Sequence, residues 1–162
     1  MSGKAPQLDA AAASIADLAA ADEASERRRT TRLLAYWRRL RAIEGVPLIV
    51  DFDPRRNPVP WDDCLLLYRA GASDWVFDHF GAGLAALTGL VPPTIAALPR
   101  DSLVARLLAE LPPLLESCQP RLLAGELAAS TGTLLHRSLL LPLRSLDRRL
   151  AYVLGAVTYR RR

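Results

Sequence analysis

Cysteine is scarce in this chain, and its placement excludes whole classes of site. Cys64 and Cys118 form no C-x-x-C pair and have no histidines at ligand spacing, so the sequence encodes neither a zinc site nor a dithiol redox site. Two free, mostly buried thiols are expected. Histidine is equally rare, with only His79 and His136, and Lys4 is the single lysine. Aromatic residues make up 6% of the chain and lie mostly in its first half. No apolar run reaches the roughly 18–20 residues needed to cross a bilayer. Met1–Leu8 lacks the basic-then-apolar layout of a secretory signal, so a cytoplasmic protein without membrane contact is expected. A glycine-rich phosphate loop, a nucleophile elbow and a Ser/His/Asp set are all missing, so no enzyme and no catalytic residue is predicted.

What is present is the balance of an ordinary globular domain: 51% of residues are apolar and 23% charged. At 162 residues the chain holds one domain and at most a tail. The net charge of +4 is unevenly placed. Residues 1–26 carry one lysine and five acids, net −4, whereas residues 27–41 carry seven arginines and no acid, net +7. The acidic stretch is Ala-rich with weak helical spacing, so residues 1–28 are expected to be a flexible or helical arm ahead of a domain at 29–162.

The periodicity gives an order of elements. Leu33, Tyr36, Trp37, Leu40 and Ile43 recur at three- and four-residue spacing and predict one apolar helix face, ended by Gly45. Four prolines between Pro47 and Trp61 predict an extended connector. Cys64–Arg69 and Trp75–Phe80 read as strands around a Gly71–Asp74 turn. Strict alternation in the second puts Trp75, Phe77 and His79 on one face and Val76, Asp78 and Phe80 on the other. A short helical segment follows at Leu84–Thr88, then a Pro-rich loop over Val91–Pro99. Asp101 is placed to cap a helix starting at Ser102, and a second short helix starts at Pro112-Pro113. Arg121–Ala129, Leu134–Leu143 and Leu150–Tyr159 complete the strands, with a turn at Ser130–Thr133. The expected architecture is α+β: a five-stranded antiparallel sheet with helices covering one face and an N-terminal amphipathic helix.

Four segments carry a resemblance. Tyr36-Trp37 with Arg38-Arg39-Leu40, Asp51-Phe52-Asp53-Pro54, Phe80-Gly81 through Thr88-Gly89, and Leu139–Leu143 with Gly155 follow one another in the order seen in a stand-alone PAS-type family of alphaproteobacteria. The chain resembles that family over residues 30–160. The resemblance implies a PAS fold and a sensory or regulatory module without its own output domain. Such a module acts by small-ligand binding, by protein–protein contact, or by both.

Candidate site residues follow from that reading. Trp75, Phe77, Leu107, Leu135, Leu139, Leu141, Tyr152 and Leu154 are the expected pocket wall. Leu33, Tyr36, Trp37 and Leu40 are the expected contact face for a second copy or a signalling partner, since aromatics beside arginines suit a protein interface. No cofactor is predicted, although the pocket leaves room for an unidentified small molecule. No Asn-Cys-Arg segment of the flavin photosensor kind is present, and the predicted 102–118 helix has no histidine to ligate haem. Asp51, Asp53, Asp62, Asp63, Asp74 and Asp78 suit turn and capping roles better than a metal site, so no metal is predicted. The alternative function is a nucleic-acid-associated regulator using the basic helix Arg27–Arg41, disfavoured because no helix-turn-helix pattern supplies base readout.

Overall fold

The computed structural model describes residues 7–40, 42–43, 45–72, 74–89, 94–129 and 132–162, with side chains from residue 20 onward except at 42, 43 and 129. Helix α1, Gln7–Arg39, is 33 residues long and therefore about 50 Å. It runs unbroken through the boundary placed at residue 28. The apolar periodicity carries the helix to Ile43, but the structure ends it at Arg39. Ala42–Ile43 (β1) instead pairs with Val46–Pro47 (β2), with Gly45 at φ 80° between them. That left-handed backbone angle costs a glycine little and turns the chain back on itself. The connector forms three single 3-10 turns, Ile49–Asp51, Pro54–Arg56 and Trp61–Asp63. Asp53 caps the second, its Oδ1 accepting from the Arg55 backbone N–H at 3.0 Å, which is the capping role expected of it.

Strands β3 (Cys64–Arg69) and β4 (Trp75–Phe80) lie where the sequence puts them. The alternation in β4 does not hold. Leu66 pairs with His79 and Leu67 with Phe77, leaving Asp78 as a bulge, and beyond the bulge the faces exchange. Phe80 therefore joins Trp75 and Phe77, and His79 turns to the opposite face. Helix α2, Ala82–Thr88, ends at Gly89, whose φ is 71°. Its start packs so closely that a Cβ on Gly81 would stand 2.1 Å from the Asp62 carbonyl oxygen. Helix α3, Leu103–Ala109, is capped by Ser102 rather than Asp101, the hydroxyl accepting from the Ala105 N–H at 3.2 Å. Helix α4, Leu111–Ser117, takes Pro112 and Pro113 in its first turn, where no N–H is needed. The expected turns at 71–74 and 130–133 and the loop at 91–99 lie partly outside the described residues.

Strands β5 (Arg121–Ala129), β6 (Gly132–Arg144) and β7 (Leu150–Arg161) complete one antiparallel sheet of order β4-β3-β7-β6-β5. It is the α+β architecture the sequence predicts, with the short helices on one face and α1 on the other. Leu65, Leu67, Leu140, Val153 and Val157 face α2, α3 and α4, the inner side. Leu66, Leu139, Leu141, Leu143 and Leu154 face α1 and the connector, the outer side. Near-continuous apolar runs in β6 and β7 are the signature of strands covered on both faces.

Candidate functional site

Alternation along β6 sorts its side chains. Leu140 lies in the inner core and Leu139, Leu141 and Leu143 in the outer one, so Leu134, His136 and Ser138 face inward and Leu135 outward. The eight residues expected to line one pocket therefore divide between the faces. Trp75, Phe77 and Leu107 belong to the inner core. Leu139, Leu141, Leu154 and Tyr152 belong to the outer core under α1, and Leu135 shares their row. No single pocket is lined by all eight, because the sheet stands between them. Apolar character alone does not report a face when both faces are buried.

The four residues expected at a contact face are corrected as well. Leu33 is fully buried and Trp37 is 5% exposed, both in the outer core, with Tyr36 beside them and Leu40 packed against the same cluster. Two hydrogen bonds fix this stripe within the chain. Trp37 Nε1 donates to the Pro142 carbonyl of β6 at 2.9 Å, and the Asp53 N–H donates to the Tyr36 hydroxyl at 2.9 Å. The helix uses its apolar face on its own sheet and leaves Arg27, Arg28, Arg32, Arg38 and Arg39 exposed on its back.

Among the described residues, the buried side chains of the inner face are apolar apart from one polar pair. His136 is 7% exposed and Ser138 fully buried, and His136 Nδ1 lies 3.1 Å from Ser138 Oγ. Burial and the nearby Arg106 guanidinium hold the His136 imidazole below its ordinary pKa, so it is neutral at pH 7. Gly125 of β5 stands opposite His136, and a Cβ there would meet Nε2 at 3.3 Å. This pair was absent from the expected site residues. Its trace in the sequence is a His-x-Ser pattern at alternate positions inside a leucine-rich strand.

The other chemically capable groups are held in structural roles. The Cys64 thiol lies in the outer core, donates to the Pro60 carbonyl, and is pushed up to about 12 by burial. Cys118 ends α4 with φ 53°, its thiol 3.6 Å from the Leu115 carbonyl. His79 stacks on Trp61 with centroids 4.3 Å apart and bonds its carbonyl at 2.9 Å. Among the described residues, no group of three or more His, Cys, Asp or Glu side chains is placed to hold a metal ion. At the far end of the inner face, Thr88, Asp101, Ser102, Leu103, Leu127 and Arg161 line an open hollow of about 380 Å³. No helix among the described residues is long and apolar enough to cross a membrane.

Two strands, a helical crossover and three further strands in the order β4-β3-β7-β6-β5 define the class: the chain has the PAS fold. Similar solved structures are light-oxygen-voltage domains. The light-state structure of the blue-light photoreceptor Aureochrome1 LOV is 11% identical, covers 60% of this chain and 80% of that one, and superposes with a TM-score of 0.43. A light-oxygen-voltage domain studied with a flavin analogue is 13% identical over 60% of this chain and 76% of that one, with a TM-score of 0.43. An RNA-binding light-oxygen-voltage receptor is 24% identical over 59% of this chain but 28% of its own, with a TM-score of 0.42. These are likenesses of fold. No family model matches the chain, and no curated protein matches it.

The expectation of no cofactor is corrected by this comparison. A domain similar in fold was studied with a flavin analogue. A flavin ring carries donors and acceptors along one edge, and protein hydrogen bonds to them tune it. The buried polar side chains described on the inner face are His136 and Ser138, and they bond each other. Cys64 sits on the opposite face, and Cys118 points to the Leu115 carbonyl.

Proposed function

We propose that this chain is a sensory PAS module that takes a small ligand on its inner face and signals by contact through α1. The supporting observation is that β6 serves both sides of the sheet. Its inward side chains include the buried His136–Ser138 pair, and its Pro142 carbonyl anchors Trp37 of α1 on the outer side. A ligand that shifts β6 by a fraction of an ångström changes the geometry of that anchor. The resemblance to the stand-alone alphaproteobacterial family belongs to this reading, as does a cytoplasmic, non-enzymatic role. The recipient is a second copy or a signalling partner, and the surface offered is the part of α1 ahead of its docked turns. Between residues 20 and 29 no side chain of α1 is buried.

Native mass spectrometry of protein from its own host, paired with amide exchange of α1, tests this. The expected result is a bound small molecule whose removal changes exchange in α1. A bare chain, or α1 exchange indifferent to the removal, refutes it. The exposed arginines of α1 favour a second reading, association with nucleic acid. That reading requires binding that weakens steeply with salt and is lost when Arg28, Arg32 and Arg39 are neutralised together.

A further inference from the structure

We propose that the β5 side of the inner face is a binding site for a small organic carboxylate, with Arg106 and His136 as donors and Gly125 as floor. The proposal deepens the ligand-sensing reading and rests on it. The argument starts at Ser138. Its hydroxyl is fully buried, and its hydrogen bond is to His136 Nδ1. If Nδ1–H donated, the serine hydrogen would be buried without an acceptor, at a cost of about 1–3 kcal/mol. The serine therefore donates to Nδ1, and the imidazole proton resides on Nε2. Among the described residues, Nε2–H finds no hydrogen-bond partner. Yet among the described residues no sealed side-chain nitrogen or oxygen lacks a partner. Nε2 therefore keeps a path to solvent, on a side chain that is otherwise more than nine-tenths buried.

That donor is aimed over Gly125. A Cβ there would stand 3.3 Å from Nε2, so the absence of a side chain keeps the approach open. Arg106 reaches the same stretch of β5 from α3, its Nη1 3.5 Å from the Glu126 carbonyl. That contact is at the long limit of a hydrogen bond and leaves the guanidinium fork to spare. Leu103 and Leu107 of α3 and Leu123 and Leu127 of β5 supply apolar walls. The other groups facing His136 are Tyr159, its partner on β7, and Ser138. A planar carboxylate suits this set: the guanidinium fork takes both oxygens and balances one negative charge, and Nε2–H adds a third bond. A dianion would leave a second charge uncompensated in a partly buried place.

Titration with acetate and butyrate tests the site, following the imidazole NMR signals of the two histidines. The site requires a saturable shift of the His136 signals, with His79 on the outer face as an unmoved internal reference. Arg106→Gln should weaken binding by about tenfold or more, the worth of a charge-assisted hydrogen bond. Gly125→Ala should abolish it, since the added Cβ fills the approach and pushes Nε2 aside by a few tenths of an ångström while Arg106 is untouched. Gly125 has no left-handed backbone angle, so alanine is tolerated in the strand, and a circular dichroism spectrum confirms the fold. The absence of a saturable shift with either acid overturns the proposal. So does an equal shift with chloride, or a shift unchanged in Arg106→Gln. A small molecule retained in the native mass spectrum, with His136 silent to both acids, removes this site and leaves the sensing reading standing.

Discussion

Replacing Trp37 with phenylalanine probes the contact that ties α1 to the sheet. The indole is 5% exposed, and its N–H donates to the Pro142 carbonyl at 2.9 Å in a buried setting. Phenylalanine keeps most of the apolar body and removes the donor. The bond is buried within the outer core, so phenylalanine leaves the Pro142 carbonyl without the partner it has in the parent. Leaving a buried acceptor unpaired costs about 1–3 kcal/mol. The ring atoms lost add less than 1 kcal/mol if the outer core relaxes around the smaller side chain. A destabilisation of about 2 kcal/mol is expected, roughly a thirtyfold change in the folding equilibrium and a Tm lower by about 4–8 °C. Urea denaturation followed by far-ultraviolet circular dichroism gives the midpoint, and an unchanged slope shows that the mutation acts on stability rather than on compactness. The companion Tyr36→Phe removes a bond to the Asp53 N–H at a half-buried position where water can substitute. It should cost less than about 1 kcal/mol. A Trp37→Phe protein as stable as the parent, or a Tyr36→Phe protein that loses more, would refute the claim that the Pro142 bond is the anchor.

Two glycines should fail in a fixed order. A Cβ at Gly81 would stand 2.1 Å from the Asp62 oxygen and 2.4 Å from its carbonyl carbon, backbone that cannot step aside. At Gly155 the clash is with Leu65 side-chain carbons at 2.9 Å and Leu140 at 3.3 Å, which repacking relieves in part. Gly155→Ala should cost about 1–3 kcal/mol and Gly81→Ala more, and thermal melts showing the reverse order would contradict the packing argument. Cys64 predicts an alkaline weakness. Its folded pKa of about 12 lies above its ordinary value of 9.0, so the buried thiol's contribution is whole below pH 9 and is lost as pH rises through 12. Denaturation midpoints should fall over that window in the parent and less in Cys64→Ala; parallel curves would show that folding does not shift the Cys64 thiol and would refute the prediction.

The strands were legible because β-rich runs between Gly, Pro and polar turns are local signals, and Cys64–Arg69 and Trp75–Phe80 fall where those signals put them. The bulge at Asp78 was not, since nothing in WVFDHF marks the one residue without a partner; the pairing of Leu66 and Leu67 decides it. The end of α1 shows the same limit from another side. Ile43 continues the helical spacing of Leu40 and Leu33, but Gly45 permits a turn that pairs Ile43 with Val46, and the pairing wins.

The site was harder to read for a physical reason that β6 makes plain. In a strand with one solvated face, alternation of apolar and polar residues reports which way each side chain points. Here α1 and the short helices cover both faces, so leucine at 139, 140 and 141 is required on each in turn. Hydrophobicity then carries no information about side, and residues from two cores merge into one apparent pocket wall. The informative residues in such a strand are the ones that break the pattern. His136 and Ser138 share a parity, and Arg137 between them takes the other, so the polar pair can lie only on one face. Two adjacent inward positions of a covered strand are costly places for unpaired polar groups. They persist in this chain by bonding each other at 3.1 Å and keeping one nitrogen over a glycine.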